Sequence, residues 1–101
     1  MVEVKDPELT FPGEGCKCYA YVKNRVGGLP PMEAIIPNTE AAAGTVAVEW
    51  YGDIKHVSLV MAVTDDGVWV AEANYNPCET GERFIPHTKP SLRGFWQYTS
   101  G

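Results

Sequence analysis

Positive charge is scarce in this chain and is never clustered. Eight Lys and Arg stand against thirteen Asp and Glu, which gives a net charge of −5, and no two basic residues are adjacent. Binding to nucleic acid needs basic patches that replace the counterions on phosphate, and attachment to an anionic membrane surface needs them too. The composition therefore predicts no nucleic-acid partner and no electrostatic membrane anchor.

Long apolar runs are missing as well. Nothing approaches the roughly 18 consecutive apolar residues of a membrane-spanning helix, so membrane insertion is not expected. The first eight residues, MVEVKDPE, lack the basic start and apolar run of a secretory signal, which predicts synthesis in the cytoplasm without a signal peptide. A chain of 101 residues is long enough for one domain.

Cysteine is rare, and its number is odd. Three cysteines allow one disulfide at most, so they do not form the framework of a disulfide-rich domain. Cys16 and Cys78 are either bystanders or partners of each other. The remaining thiol, Cys18, fits a reactive nucleophile or a reduced cytosolic protein.

Local patterns predict an α+β fold. Apolar residues in the segment 16–26 follow the helical period, and Gly27 and Gly28 supply the stop. Residues 32–36 allow a helical turn or two at most. From residue 44 onward, short apolar runs alternate with turns, and the clearest hairpin turn is DDG at 65–67.

The predicted order is one short N-terminal helix, then strands. The helix carries Cys18 and packs on an antiparallel sheet of four to six strands. We expect an irregular segment at 1–14, a single domain at 15–98 and a tail at 99–101. The predicted strands are 45–50, 56–64, 68–75, 81–86 and 92–98.

Four polar residues fall at the ends of these elements. Cys18 opens the helix, His56 begins a strand, and Glu72 and Asn74 close the next strand. Strand alternation puts Glu72 and Asn74 on one face and Tyr75 on the other. The four polar residues converge if the hairpin register sets His56 roughly opposite Asn74 or Asn76.

This set matches the needs of thiol-dependent acyl transfer. A helix N-terminus and a neighbouring imidazolium both stabilise the thiolate that a nucleophilic Cys18 requires, and backbone N–H groups there form an oxyanion hole. His56 would be the base, and Glu72 or Asn74 would accept from its far ring nitrogen and fix the tautomer. A carboxylate at 72 among valines also needs a partner, because burying it alone is costly.

At these residues the chain resembles the CHAP domain, the cysteine, histidine-dependent amidohydrolase/peptidase family with a papain-like fold. The family has a Cys-x-x-(Tyr/Phe)-Val helix start, a Gly-Asp-Val-Ala-Val-like strand, a Gly-His-Val-Ala-x-Val strand, a Glu-x-Asn and a closing Gly-Phe strand. The corresponding segments here are CYAYV at 18–22, GTVAVEW at 44–50, KHVSLV at 55–60, EAN at 72–74 and GFW at 94–96.

The resemblance implies catalytic Cys18, His56, Glu72 and Asn74, and hydrolysis of amide or peptide bonds in bacterial peptidoglycan. The protein would be an N-acetylmuramoyl-L-alanine amidase or an endopeptidase acting at the cell wall, as in phage endolysins or virion-associated hydrolases, in a virion or holin context. Thr45 replaces the family's usual Asp, and Lys55 stands in place of Gly, where a lysine so close would lower the pKa of His56. Without an Asp-x-Asp loop before Cys18, no calcium and no other cofactor is expected.

Two other interpretations remain open. The chain could be a non-catalytic papain-like module of a phage, used for structure or host interaction, since a fold does not fix a function. Alternatively, its cysteines and one histidine could form a Cys3His zinc site. The residues of that zinc site would be Cys16, Cys18 and Cys78 with His56 or His87.

Overall fold

The computed structural model describes residues 14–97. The predicted tail at 99–101, residues 1–13 of the predicted irregular segment, and Tyr98 at the end of the last predicted strand lie outside the described residues. Within 14–97, no helix is long and apolar enough to cross a membrane.

The helical part of the fold is small. Helix α1 spans Cys18–Arg25, between 3₁₀ turns at Glu14–Cys16 and Met32–Ala34. It begins at Cys18, two residues after the start of the helical period at residue 16, because Lys17 has extended backbone angles and Cys16 still belongs to the preceding turn. Past the helix, Gly28 has a φ of 79°, a left-handed conformation that suits glycine and turns the chain away.

Five antiparallel strands form one sheet in the order β4-β3-β2-β1-β5. One short helix and this sheet confirm the predicted α+β class, and every predicted strand is present with shifted ends. The strands are β1 Val46–Tyr51, β2 Ile54–Val63, β3 Gly67–Ala73, β4 Thr80–Pro86 and β5 Leu92–Trp96.

The two faces of the sheet bury different clusters. Helix α1 covers one face, where Val22 and Val26 pack with Val57 and Leu59 of β2. The other face has its own apolar cluster, to which both edge strands contribute: Ala47, Val60, Val68, Val70, Ile85 and Phe95.

Edge strands β4 and β5 can share a cluster only if the sheet curls. Ile85 of β4 and Phe95 of β5 lie in the same buried cluster although three strands separate them in the sheet. Their face is therefore concave. Alternation along β2 puts His56 and Ser58 on this concave face, since Val60 belongs to its cluster and Val57 and Leu59 to the other.

Two local irregularities decide which side chains reach the site. The β2–β3 register shifts between Val60 and Ala62, so that Ala62 pairs with Trp69. At the end of β3, Asn74 has a φ of 63°, which breaks the alternation of side chains. The predicted placement of Tyr75 on the face away from Glu72 is wrong for this reason, because its ring lies 5.9 Å from that of His56.

Candidate active site

Cys18 is the first residue of α1 and keeps its thiol, while the other two cysteines are oxidised. Burial alone would raise the pKa of the Cys18 thiol. A hydrogen bond with His56, backbone bonds at Val57 and Tyr19 and the charge of His56 outweigh burial, so the pKa lies below its usual value of 9.0. The helix N-terminus further favours the thiolate.

Cys16 and Cys78 form a disulfide. Of the two alternatives for them, bystanders or partners of each other, the second is therefore correct. The disulfide also removes two of the three thiolates from the Cys3His zinc set. It ties the turn just before Cys18 to the loop between β3 and β4. The backbone packs closely there, since a side chain at Gly15 would meet the Cys78 carbonyl oxygen at 3.4 Å.

His56 connects Cys18 to Glu72. Its Nε2 lies 2.8 Å from Glu72 Oε1, and because a carboxylate only accepts, this nitrogen carries the proton. Nδ1 is then the ring nitrogen left for Cys18. Burial alone would lower the pKa of His56, but the hydrogen bonds to Cys18 and Glu72 and their charges raise it to about 9.

Lys55 does not act on His56 as its position in the sequence suggested. The expectation that it lowers the pKa of His56 is wrong, since that pKa is raised. Lys55 Nζ donates to the backbone oxygens of Met32 and Ile35, at 3.0 and 2.9 Å. Strand alternation sends the two neighbouring side chains to opposite faces of β2.

Glu72 is buried on the concave face and has two partners. Besides His56, the guanidinium of Arg83 donates to both of its oxygens, from Nε to Oε2 and from Nη2 to Oε1, each at 2.7 Å. Burial alone would raise the pKa of Glu72, but the bonds and charges of Arg83 and His56 lower it below 4.5. Glu72 is therefore a carboxylate at neutral pH, able to hold an imidazolium.

Asn74 lies beside this chain of hydrogen bonds and is engaged in the turn after β3. Its Oδ1 accepts from the backbone N–H of Cys78 at 2.9 Å, and its own N–H donates to the Glu79 carbonyl at 2.8 Å. Leu59 of β2 pairs with Ala71 of β3. Because the strands are antiparallel, continuing this pairing by three residues sets His56 opposite Asn74. Asn74 thus lines the cleft next to His56, and of the two residues expected to accept from the far ring nitrogen of His56, Glu72 is the one that bonds to it.

Two residues of the site, Arg83 and Glu49, were not predicted from the sequence. Glu49 is completely buried, pairs across the strands with His56, and accepts from Arg83, Tyr51 and Ser91. The same argument that singled out Glu72 applies to it, because Glu49 also follows valines in a strand. Two buried carboxylates call for a buried cation, and Arg83 lies on a predicted strand.

Glu49, His56 and Glu72 offer ligand atoms that all lie within 4.8 Å of one another, as in a metal site. The guanidinium of Arg83, however, donates to both carboxylates. A fixed cation therefore already pairs with both carboxylates, and Lys89 Nζ lies 3.1 Å from Glu49 Oε2 as a second one. The chemistry of the donor set favours an ion-pair network over a metal centre here.

An open cleft of about 370 Å³ gives access to His56. Tyrosine rings form much of its wall, and the ring of Tyr75 stands edge-on to that of Tyr51 at 6.3 Å. The residues that line it are Tyr51, Ile54, His56, Asn74 and Tyr75.

The Cys18 thiol interacts with the His56 ring, which is hydrogen-bonded to Glu72, so the three residues connect the start of α1 to β3. A thiol, an imidazole and an orienting carboxylate in this order are the parts of an activated nucleophile. Comparisons with family models, with curated proteins and with solved structures gave no match to this chain.

Proposed function

We propose that this chain is a cysteine-dependent amidohydrolase or peptidase of papain-like fold that hydrolyses bonds in bacterial peptidoglycan. The interaction of Cys18 with His56, and the hydrogen bond from His56 to Glu72, carry the proposal of the reaction class. A helix that presents the nucleophile at its N-terminus to an antiparallel sheet supports the papain-like assignment. Peptidoglycan as substrate, and a phage or virion setting, come from the sequence resemblance to the CHAP domain.

In the first half of the reaction, the Cys18 thiolate attacks the carbonyl carbon of the scissile amide. The C–N bond then breaks, and the His56 imidazolium gives its proton to the leaving amine. The acyl group stays on Cys18 as a thioester. Backbone N–H groups at the start of α1 stabilise the oxyanion.

In the second half, His56 takes a proton from water, whose oxygen attacks the thioester. The carboxylic acid product leaves, and the Cys18 thiolate and His56 imidazolium are restored. Glu72 keeps its charge throughout and holds the imidazole ring in place. Every group in this cycle belongs to the chain itself, and the cycle needs no cofactor.

The deciding experiment is iodoacetamide labelling read by intact mass, since Cys18 is the thiol outside the disulfide. Single-site labelling that is fast at pH 6–7 and slow in His56→Ala is the expected result. Slow labelling with an ordinary thiol profile in a folded protein would favour the non-catalytic module instead.

Digestion of purified peptidoglycan then tests the substrate. Wild type should release fragments, and Cys18→Ala should not, although its circular dichroism matches wild type. Mass spectrometry of the new termini identifies the bond. A new N-terminal alanine with an intact stem peptide indicates an amidase, and cuts within the peptides indicate an endopeptidase.

A further inference from the structure

We propose that Arg83 is the positioning residue of this site, holding at once the carboxylate that orients His56 and the aromatic wall of the cleft. The inference rests on the proposed function, because it assigns a role to Arg83 in the same reaction. Arg83 lies on β4, and its partners among the described residues are Glu49, Glu72 and Tyr75 rather than Cys18. It would act only through Glu72 and Tyr75.

The contact with Glu72 is bidentate. Two parallel N–H donors meet the two carboxylate oxygens at 2.7 Å each, which fixes the plane of the carboxylate and not only its position. Oε1, which Nη2 holds, is also the oxygen that accepts from His56. Orienting the carboxylate therefore orients the imidazole.

The contact with Tyr75 uses the flat face of the same guanidinium. Its central carbon lies 3.7 Å from the centre of the Tyr75 ring, a stacking distance. Tyr75 is 41% exposed and lines the cleft beside His56. One side chain thus supports both the base and the surface that a substrate would contact.

Glu49 in turn holds Arg83 in place by an ion pair. The Glu49 side chain is 0% exposed and that of Arg83 only 15%. Tyr51 and Ser91 donate to the same carboxylate, at 2.6 and 2.8 Å. An arginine held on both sides has few other rotamers open to it, which is what a positioning residue requires.

The chain contains a matched arrangement that does not bond to Glu72. Arg25 donates to both oxygens of buried Glu14, at 2.8 and 2.9 Å, and its guanidinium stacks on Tyr21 at 3.6 Å. Losing either arginine removes a buried ion pair and a stacked ring. Of these two arginines, Arg83 is the one that bonds to the orienting carboxylate, so Arg25 provides a control for the loss of stability.

The test measures the rate of Cys18 alkylation by iodoacetamide from pH 4 to 10, on variants checked for folding by circular dichroism. The groups facing His56 that titrate or carry charge come from several elements: Cys18 from α1, Glu49 from β1, Glu72 from β3, Tyr75 after β3 and Arg83 from β4. In Arg83→Gln, burial of Glu72 is no longer offset by the guanidinium. We expect the acid limb of the rate profile to move at least about one pH unit upward.

Arg83→Lys keeps the charge and loses the planar, bidentate contact. Its acid limb should stay close to that of wild type, while peptidoglycan turnover falls roughly 10- to 100-fold, with a higher KM because the planar stacking on Tyr75 is lost. Arg25→Gln should lower the melting temperature and leave the alkylation profile unchanged. If Arg83→Gln does not fold, the double variant Arg83→Gln/Glu49→Gln, which leaves no buried Glu49 charge behind, takes its place.

The two proposals fail in different ways. The inference is overturned if Arg83→Gln, or the double variant, keeps the acid limb of wild type and Arg83→Lys keeps normal turnover. Arg83 would then form only a structural ion pair, and the proposed function would stand. An ordinary thiol profile in wild type would overturn the proposed function, and the role of Arg83 with it.

Discussion

His56 Nε2 lies 2.8 Å from Glu72 Oε1, and both side chains are almost completely buried. The two residues are on adjacent strands of the concave face, where the surrounding protein excludes most water. A hydrogen bond between an imidazole and a carboxylate in such a place fixes the ring in one tautomer and one orientation. It leaves the other ring nitrogen directed to Cys18.

This relationship predicts the effect of Glu72→Gln. An amide can present its NH₂ group to the imidazole and favour the wrong tautomer, so kcat/KM should fall by roughly 10² to 10⁴. Labelling of Cys18 at pH 6–7 should slow in parallel. Glu40→Gln, an exposed glutamate before β1, is the control and should match wild type. Equal rates in both variants would rule out an orienting role for Glu72.

The pH dependence of activity should differ from that of an ordinary thiol. With the pKa of His56 raised to about 9 and that of Cys18 lowered, the thiolate is favoured over a pH range in which His56 still carries its proton. Activity should therefore fall above about pH 9, as His56 loses the proton that the leaving amine needs. A free thiol, by contrast, ionises only near pH 8.5 and would gain reactivity there. The profile of kcat/KM against pH distinguishes the two.

The Arg83–Glu49 pair predicts loss of stability in acid. The folded protein holds the pKa of Glu49 at about 2, because the bonds from Arg83, Tyr51 and Ser91 outweigh its burial, against 4.5 in an unfolded chain. The folded state thus binds fewer protons between these values. The contribution is complete above about pH 4.5 and is lost as pH falls through about 2.

Urea unfolding at pH 7, 4.5 and 2.5 checks this. Glu49→Gln should cost about 3–5 kcal/mol at pH 7, because it removes one partner of a buried ion pair. The variant should also lose less stability than wild type between pH 4.5 and 2.5. A parallel decline in both proteins would assign the acid sensitivity to other carboxylates.

The disulfide should contribute to stability through the length of chain it closes. Cys16 and Cys78 are 62 residues apart, and closing such a loop removes freedom from the unfolded chain worth about 4 kcal/mol. Dithiothreitol should therefore lower the melting temperature of wild type. The double variant Cys16→Ser/Cys78→Ser should melt at that lower temperature with or without reductant, and any sensitivity of the variant to reductant would contradict the assignment.

Ser58 offers a test of the concave face. Its side chain is completely buried, and Oγ has no hydrogen-bond partner among the described residues. Removing an unsatisfied buried hydroxyl should be neutral or stabilising, so Ser58→Ala should not lower the free energy of unfolding. Thr45→Ala is the contrast, since Thr45 Oγ1 donates to the Ala42 carbonyl at 2.7 Å, and its loss should cost about 1 kcal/mol.

Much of the fold follows from local pattern. Gly27 and Gly28 end the helical period, and the turn at 65–67 separates two apolar runs, so the sequence alone predicts the order of the elements. The choice of Glu72 followed from an energy argument, that a carboxylate among valines needs a partner. Glu49 also follows valines in a strand, so a second buried carboxylate, and Arg83 as its cation, could have been predicted on the same ground.

Other features depend on contacts between distant parts of the chain. The left-handed Asn74 turns Tyr75 toward His56, and a strand pattern of alternating residues does not reveal such a break. The pairing of Cys16 with Cys78 required the β3–β4 loop to meet the start of α1.

By itself, the sequence determined the α+β class, the approximate positions of its elements, and the candidate residues Cys18, His56 and Glu72. Only the tertiary structure decided that Arg83 of β4 reaches Glu49 of β1 across two intervening strands. Hydrophobic periodicity and composition depend on residues that are close together in the sequence. The curl of a sheet and its register depend on the packing of all its strands together, and they bring these two side chains into contact.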